Sequence, residues 1–290
     1  MDNREEIKAF LTSRRAKITP DEAGLTNYSR NRRVTGLRRS EVADLAGVSV
    51  EYYAQLERGN LKGVSDSVLD ALARALHLDD AEREHLLHLA HAAGPALRTR
   101  RRSPTAQVRP AVLRILDGMT EVPAFVQNGR LEILAANALA LALYDPVFTD
   151  TTGPANLARF NFLNPQAQTF WGDPERAAND TVAMLRTEAG RDPYDKSLTD
   201  LVGELSTRSG DFRTRWAAHN VQLHRTGTKD IHHPIVGDLH LSYEVMELPA
   251  DPGLTLVAFS AEPESATHEA LRFLASWTTE QHATSTTTTT

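Results

Sequence analysis

The chain has 290 residues, 41% of them hydrophobic and 24% charged. That is ordinary globular usage at about two domains' length, and it excludes a mostly disordered polymer. There is no cysteine, which excludes disulfides, thiol nucleophiles and cysteine metal ligands. No apolar run of about 18 residues occurs, so no membrane-spanning helix and no membrane partner are expected. The start, Met1-Asp2-Asn3-Arg4-Glu5-Glu6, lacks a basic-then-apolar leader, so the expected location is cytoplasmic.

The net charge of −6 is unevenly spread. Residues 1–40 carry +5, 41–94 carry −6, 95–114 carry +6 with no acid, and 115–290 carry −11. Two basic segments precede an acidic remainder, the pattern of a polyanion-binding head on a body that does not bind polyanions.

In chain order, residues 4–17 read as a helix with Ile7, Phe10 and Leu11 on one face, broken by Thr19-Pro20-Asp21 and Gly24. Residues 24–36 read as a basic loop. Arg39–Ala46 reads as a helix ended by Gly47. Ser49 caps the next, which Gly59-Asn60 ends, and Ser65 or Asp66 and then Asp79 or Asp80 open two more. No strand-like alternation appears before residue 94. Gly94-Pro95 and the run Arg98, Arg100, Arg101, Arg102 read as a linker, either an arm that trails along phosphates or a solvated hinge.

Beyond it, Pro110–Met119 reads as a helix, and Ala124–Ala135 as a β-hairpin around an Asn128-Gly129 turn. Asn137–Leu143, Asp173–Glu188, Lys196–Ser206 and His268–Trp277 read as helices. Residues 231–236, 239–248 and 254–261 read as strands, with turns at Gly237-Asp238 and Asp251-Pro252-Gly253. The Thr-rich end, 284–290, is expected to be mobile. The expected domains are 1–94, an all-α helix-turn-helix bundle; 95–108, an Arg-rich linker; 109–280, an α+β domain with a mainly antiparallel five-stranded sheet; and 281–290, a disordered tail.

The segment Arg39–Gly59 carries the chemistry. A helix-turn-helix needs a small residue where its helices cross and a glycine four residues later in the turn, and Ala43 and Gly47 stand there. Val42, Val48, Tyr53 and Leu56 fall at the spacing that locks the two helices. Ser49, Val50, Glu51, Tyr52 and Gln55 then form the surface that enters a major groove. Arg38, Arg39 and Arg58 flank it and reach phosphates. One such module makes few phosphate contacts, so a homodimer on a two-fold double-stranded DNA operator is expected.

The run Gly36-Leu37-Arg38-Arg39-Ser40-Glu41-Val42-Ala43-Asp44-Leu45-Ala46-Gly47-Val48-Ser49-Val50-Glu51-Tyr52-Tyr53 resembles the XRE-type helix-turn-helix of actinobacterial transcriptional regulators. Phe212-Arg213-Thr214-Arg215-Trp216-Ala217-Ala218-His219-Asn220-Val221, Lys229–Gly237 and Leu239–Leu248 resemble the MmyB-like ligand-binding domain that follows in such proteins. The resemblance spans about 1–265 and implies a PAS-like sensor fold, with a fatty-acyl or similar apolar ligand in some members. Asn220 departs from the pattern, which commonly has an acid after the histidine.

The aromatics cluster after residue 125. Phe125, Phe162, Phe170, Trp171 and Phe212 are the candidate ligand-lining rings, with plain core filling as the alternative for each, and 144–172 is the expected lid. Trp216 and His219, three apart on one expected helix, are placed as one wall and one polar contact, with an ordinary hydrogen-bonded histidine as the alternative for His219. His85, His88 and His91 drift around their helix, and the adjacent His232 and His233 point to opposite faces of a strand, so no metal site is expected. No phosphate-binding or nucleophile motif and no acid–base pair occurs, so neither an enzyme nor a catalytic residue is expected, and the one ligand is a non-covalent effector. The competing reading is a regulator whose C-terminal domain only dimerises or docks a protein partner.

Overall fold

The computed structural model describes residues 3–25, 34–94, 107–149, 154–221 and 225–287. The Arg98–Arg102 run, the basic loop residues 26–33 and the last residues, 288–290, lie outside them. The elements in chain order are α1 Asn3–Lys17, α2 Arg39–Ala46, α3 Val50–Glu57, α4 Asp66–Ala75, α5 Asp80–Ala92, α6 Pro110–Gly118, β1 Ala124–Asn128, β2 Ile133–Ala136, α7 Ala138–Leu143, α8 Asp145–Phe148, α9 Leu157–Leu163, α10 Ala167–Phe170, α11 Pro174–Arg191, α12 Lys196–Arg208, α13 Gly210–Ala217, β3 Thr226–His233, β4 Gly237–Glu247, β5 Leu254–Ser260 and α14 Ala266–Thr287. None of the described helices is long and apolar enough to cross a membrane.

The chain forms two compact units. The first joins Met1–Arg101 to two later segments, Val182–Gly203 and Arg213–Leu223; the second holds Arg102–Thr181, Glu204–Phe212 and His224–Thr290. The sequence places both later segments inside the stretch 109–280, yet in the fold they group with the helical head.

In the first unit, Ile7, Phe10 and Leu11 of α1, Val42 and Ala43 of α2, Tyr53 and Leu56 of α3, and Leu69 and Leu72 of α4 form one buried core. Val221, from the second late segment, packs in the same core. The turn between α2 and α3 forms as its residues require. Gly47 has φ +66°, and the Val48 amide donates to the Ala43 carbonyl at 3.0 Å. Ser49 Oγ accepts from the Tyr52 amide at 3.1 Å, capping α3.

Two other glycines sit where α1 leaves no room for a side chain. A Cβ on Gly36 would stand 2.6 Å from the Ala16 carbonyl oxygen, and one on Gly59 would stand 2.4 Å from that of Arg4. Gly59 also holds φ +91°, so both its conformation and its clearance require glycine.

The second unit is built on one five-stranded sheet of order β2-β1-β5-β4-β3, with antiparallel neighbours throughout. This is the antiparallel α+β arrangement that the sequence implies. The central strands are covered on both faces, which explains the nearly continuous apolar run Leu254-Thr255-Leu256-Val257-Ala258-Phe259. On one face Ala124, Val126, Leu254 and Leu256 meet Val112 and Leu116 of α6. On the other, Phe125, Val257, Phe259, Leu239, Leu241 and Tyr243 pack beneath Leu139 and Leu143 of α7, Phe160 of α9, Phe170 of α10 and Leu271 and Leu274 of α14.

Four local readings change. The hairpin β1–β2 does not turn on a two-residue Asn-Gly pair. Leu131 takes φ +61°, its amide donates to the Asn128 carbonyl, and Asn128 Oδ1 accepts from the Arg130 and Glu132 amides. The side chain of Asn128 thus builds a three-residue loop. Strand β3 starts at Thr226, five residues before the apolar signal, because it is an edge strand and its outward Thr226, Thr228 and Asp230 are exposed. The expected lid, 144–172, contains three short helices whose Phe160 and Phe170 are core residues. Helix α14 continues to Thr287, past the expected start of the tail, because extending a formed helix costs far less than nucleating one.

Candidate functional site

Helix α3 presents the surface expected to enter a groove. Ser49, Val50, Glu51, Tyr52 and Gln55 are exposed, whereas Tyr53 and Leu56 between them are fully buried. The helical repeat therefore separates an exposed face from a buried, locking face. Arg38, Arg39 and Arg58 are exposed beside it. Arg38 also precedes α2 as its cap, where its amide donates to Glu41 Oε2 at 2.6 Å.

Sequence reasoning missed Glu57. It is 1% exposed at the end of α3, pairs with Arg15 at 2.7 Å, and accepts from Arg39 Nε. Arg15 in turn donates to the Leu37 carbonyl at 2.9 Å. One carboxylate thus ties α1, the start of α2 and the end of α3 together. Arg39 therefore has a structural partner as well as a place on the exposed surface beside α3. The only sequence signal was an acid on the inward side of an amphipathic helix.

In the second unit, Phe125, Phe170 and Trp171 are brought together with Tyr144, Phe160 and Phe259. Tyr144 sits at the centre, with ring centroids 5.5 Å from Phe125, 5.8 Å from Phe170, 5.9 Å from Trp171 and 5.5 Å from Phe259. Its phenol is pushed far up by burial, and next by the Tyr243 phenol, so it is neutral at any physiological pH. Trp171 Nε1 donates to Asn161 Oδ1 at 2.8 Å. Lys229 Nζ lies 5.1 Å from the Trp171 ring and 5.3 Å from that of Tyr243. Desolvation lowers its pKa to about 8. Phe162 and Phe212 pair with each other, 5.0 Å apart.

Trp216 and His219 do not form the expected pair on one helix. Helix α13 ends at Ala217, and His219 has φ +53° beyond it. Both belong to the first unit and surround Arg186. The guanidinium carbon of Arg186 is 4.1 Å from the Trp216 ring centroid, and His219 Nδ1 lies 2.9 Å from Arg186 Nη1. Asn220, where an acid is commonly found, accepts from Lys17 Nζ at 2.9 Å.

A groove of about 580 Å³ opens between β5 and α14, lined among others by Val122, Phe259, Leu271, Phe273, His268 and Arg272. Phe259 is shared between this groove and the aromatic cluster, and Phe273 is 58% exposed. The histidines of β3 and β4 are engaged singly: His232 with Asp238 at 2.6 Å, His240 with Asp230 at 2.5 Å, and His233 Nε2 with the Ala142 carbonyl oxygen at 3.0 Å. Among the described residues no three His, Asp or Glu side chains gather as a metal site would require.

Residues 14–86 match the family model of a helix-turn-helix domain, and residues 108–274 match that of the MmyB-like transcription regulator ligand binding domain. The chain belongs to the MmyB-like family. No curated protein matches it. The MmyB-like match includes Val182–Gly203 and Arg213–Leu223, the two segments that pack with the helical head. The protein is thus a transcription regulator that joins a helix-turn-helix domain to a ligand-binding domain.

Proposed function

We propose that this MmyB-like protein binds a two-fold DNA operator as a homodimer and that its effector is an apolar, fatty-acyl type small molecule held non-covalently in the second unit. The observation that carries the reading is the aromatic cluster on the inner face of the five-stranded sheet, in a domain whose family is described as ligand-binding. The rings pack on one another as buried core, and Phe259 links that core to the groove, where with Val122 and Leu271 it offers an apolar strip suited to an acyl chain. The groove beside Phe259, at about 580 Å³, is of the size that such ligands occupy. Ser49, Val50, Glu51, Tyr52 and Gln55 read base edges, and Arg38, Arg39 and Arg58 hold phosphates.

Native mass spectrometry of the protein purified from its own host tests the effector. An acyl species that stays bound through desalting is expected. Repeated recovery of bare protein, together with indifference of DNA affinity to added fatty acids, would sink it. The exposed ring of Phe273 beside the same groove favours a second reading, in which the C-terminal domain pairs with another copy and takes no small molecule.

A further inference from the structure

Arg186 has no exposed surface. Its guanidinium forms an ion pair with Glu6 of α1 and donates to the Trp216 carbonyl. The ring of Trp216 stacks on it at 4.1 Å, and His219 lies at 2.9 Å. Glu6 is held down at about 2, since the hydrogen bond to His219 and the charge of Arg186 outweigh the opposing push of burial. Arg14, 2% exposed, donates to the His219 carbonyl and pairs with Glu82 at 2.8 Å. One turn further along α11, Gly190 closes on the ring of His85: a Cβ there would stand 2.6 Å from it. Arg186 and Gly190 are i and i+4, so one face of α11 is shaped to the head.

A buried cation without its partner is costly, and a planar fork stacked on a ring fixes rotation as well as distance. An apolar patch would hold α11 to α1 without dictating either. Helix α11 is also divided between the units: Pro174–Thr181 belongs to the second and Val182–Arg191 to the first. We propose that Arg186 is a positioning residue for DNA recognition, the lock through which α11 of the ligand-binding domain sets α1 of the DNA-binding head. The Trp216–Val221 segment serves this lock, supplying the stacking ring, two carbonyl acceptors and the core side chain of Val221. The inference goes beyond the proposed effector and does not depend on its chemistry.

The test uses the full chain, with Arg186→Met, Arg186→Lys, Glu6→Gln and the double variant Glu6→Gln/Arg186→Met. Amide exchange is followed with and without a random-sequence DNA duplex at low salt. Arg186→Met and Glu6→Gln should each speed exchange in α1 about tenfold or more and leave β4 and β5 protected. The double variant should lose less than the two together. Arg186→Lys should fall between, since it restores the charge but not the fork; should Arg186→Met fail to fold, this variant and Glu6→Gln carry the same comparison. Duplex binding should slow exchange in Pro174–Thr181 of the wild type and not of the variants. Unchanged α1 exchange, equal loss in β4 and β5, or the same DNA-induced protection in wild type and variants would overturn the proposal. A duplex that fails to bind at all would instead count against the DNA-binding reading, and the exchange in α1 would still decide the lock.

Discussion

The two units differ in what they bury. The head encloses Glu6, Arg14, Glu57, His85 and Arg186, each under a tenth exposed. The sheet domain encloses Phe125, Tyr144, Phe160, Phe170, Trp171 and Phe259. Charge pairs are directional and poorly tolerant of displacement, because a small shift strands a charge away from water. Aromatic and aliphatic cores repack at modest cost when volume is conserved. The charge pairs of the head therefore tolerate displacement less well than the aromatic core of the sheet domain.

The largest effect should come from removing volume in the adaptable core. Phe125→Ala should cost about 3–5 kcal/mol of stability in the sheet domain, read as amide exchange in β1 and β5. If the cost were under about 1 kcal/mol, the core would not be packed as described.

Conservative substitutions sharpen the contrast. Glu57→Gln should cost about 2–3 kcal/mol, because it leaves Arg15 and the half-exposed Arg39 without their anion. Phe170→Leu should cost about 1 kcal/mol. Measured side by side by chemical denaturation with local exchange, the reverse order would break the comparison.

Acid should separate the units as well. The folded-state pKa of Glu6 is about 2, below its ordinary 4.5, and that of His85 is about 3, below its ordinary 6.5, burial being the main cause for the histidine. Both depressed values mean that the unfolded head takes up protons first as pH falls. Stability is therefore lost between about pH 6.5 and 3 through His85 and between about 4.5 and 2 through Glu6. Exchange in α1 and α5 should accelerate on stepping from pH 7 to 4, after correction for intrinsic rates, before β4 and β5 respond. Equal acid sensitivity in both units would refute this.

The smallest effects belong to the surface. Arg58→Ala should weaken binding to every duplex and lower the salt slope by about one unit. Arg39→Ala should lower the slope less, because Glu57 already takes part of that charge. A slope change for Arg39 as large as that for Arg58, in salt titrations of a gel shift, would place Arg39 wholly on phosphate.

The helix-turn-helix was legible because its determinants are local. Ala43, Gly47 and Ser49 act on neighbours within five residues, and each behaves as its chemistry requires. The strands of the sheet were legible where alternation marks a half-buried face, as in Leu239, Leu241 and Tyr243, and lost where the strand is a polar edge. The aromatic cluster was visible as composition, but the centrality of Tyr144 was not. The Arg186 lock was invisible, since its partner Glu6 lies 180 positions away and no periodicity joins a lone arginine to a lone glutamate. The same distance explains Trp216 and His219, which belong to a face completed by α1.

Gly36 and Gly59 give α1 a mechanical property that its side chains alone would not. At both points the helix rests on bare backbone, with no methyl group to compress and no rotamer to swing aside. Packed side chains absorb small displacements; main chain seated directly on main chain does not. A shift of α1 by a few tenths of an ångström therefore meets the backbone at position 59, two residues beyond the end of α3, with no side chain between to absorb it. Any residue larger than glycine there would act as a shim between α1 and the end of α3.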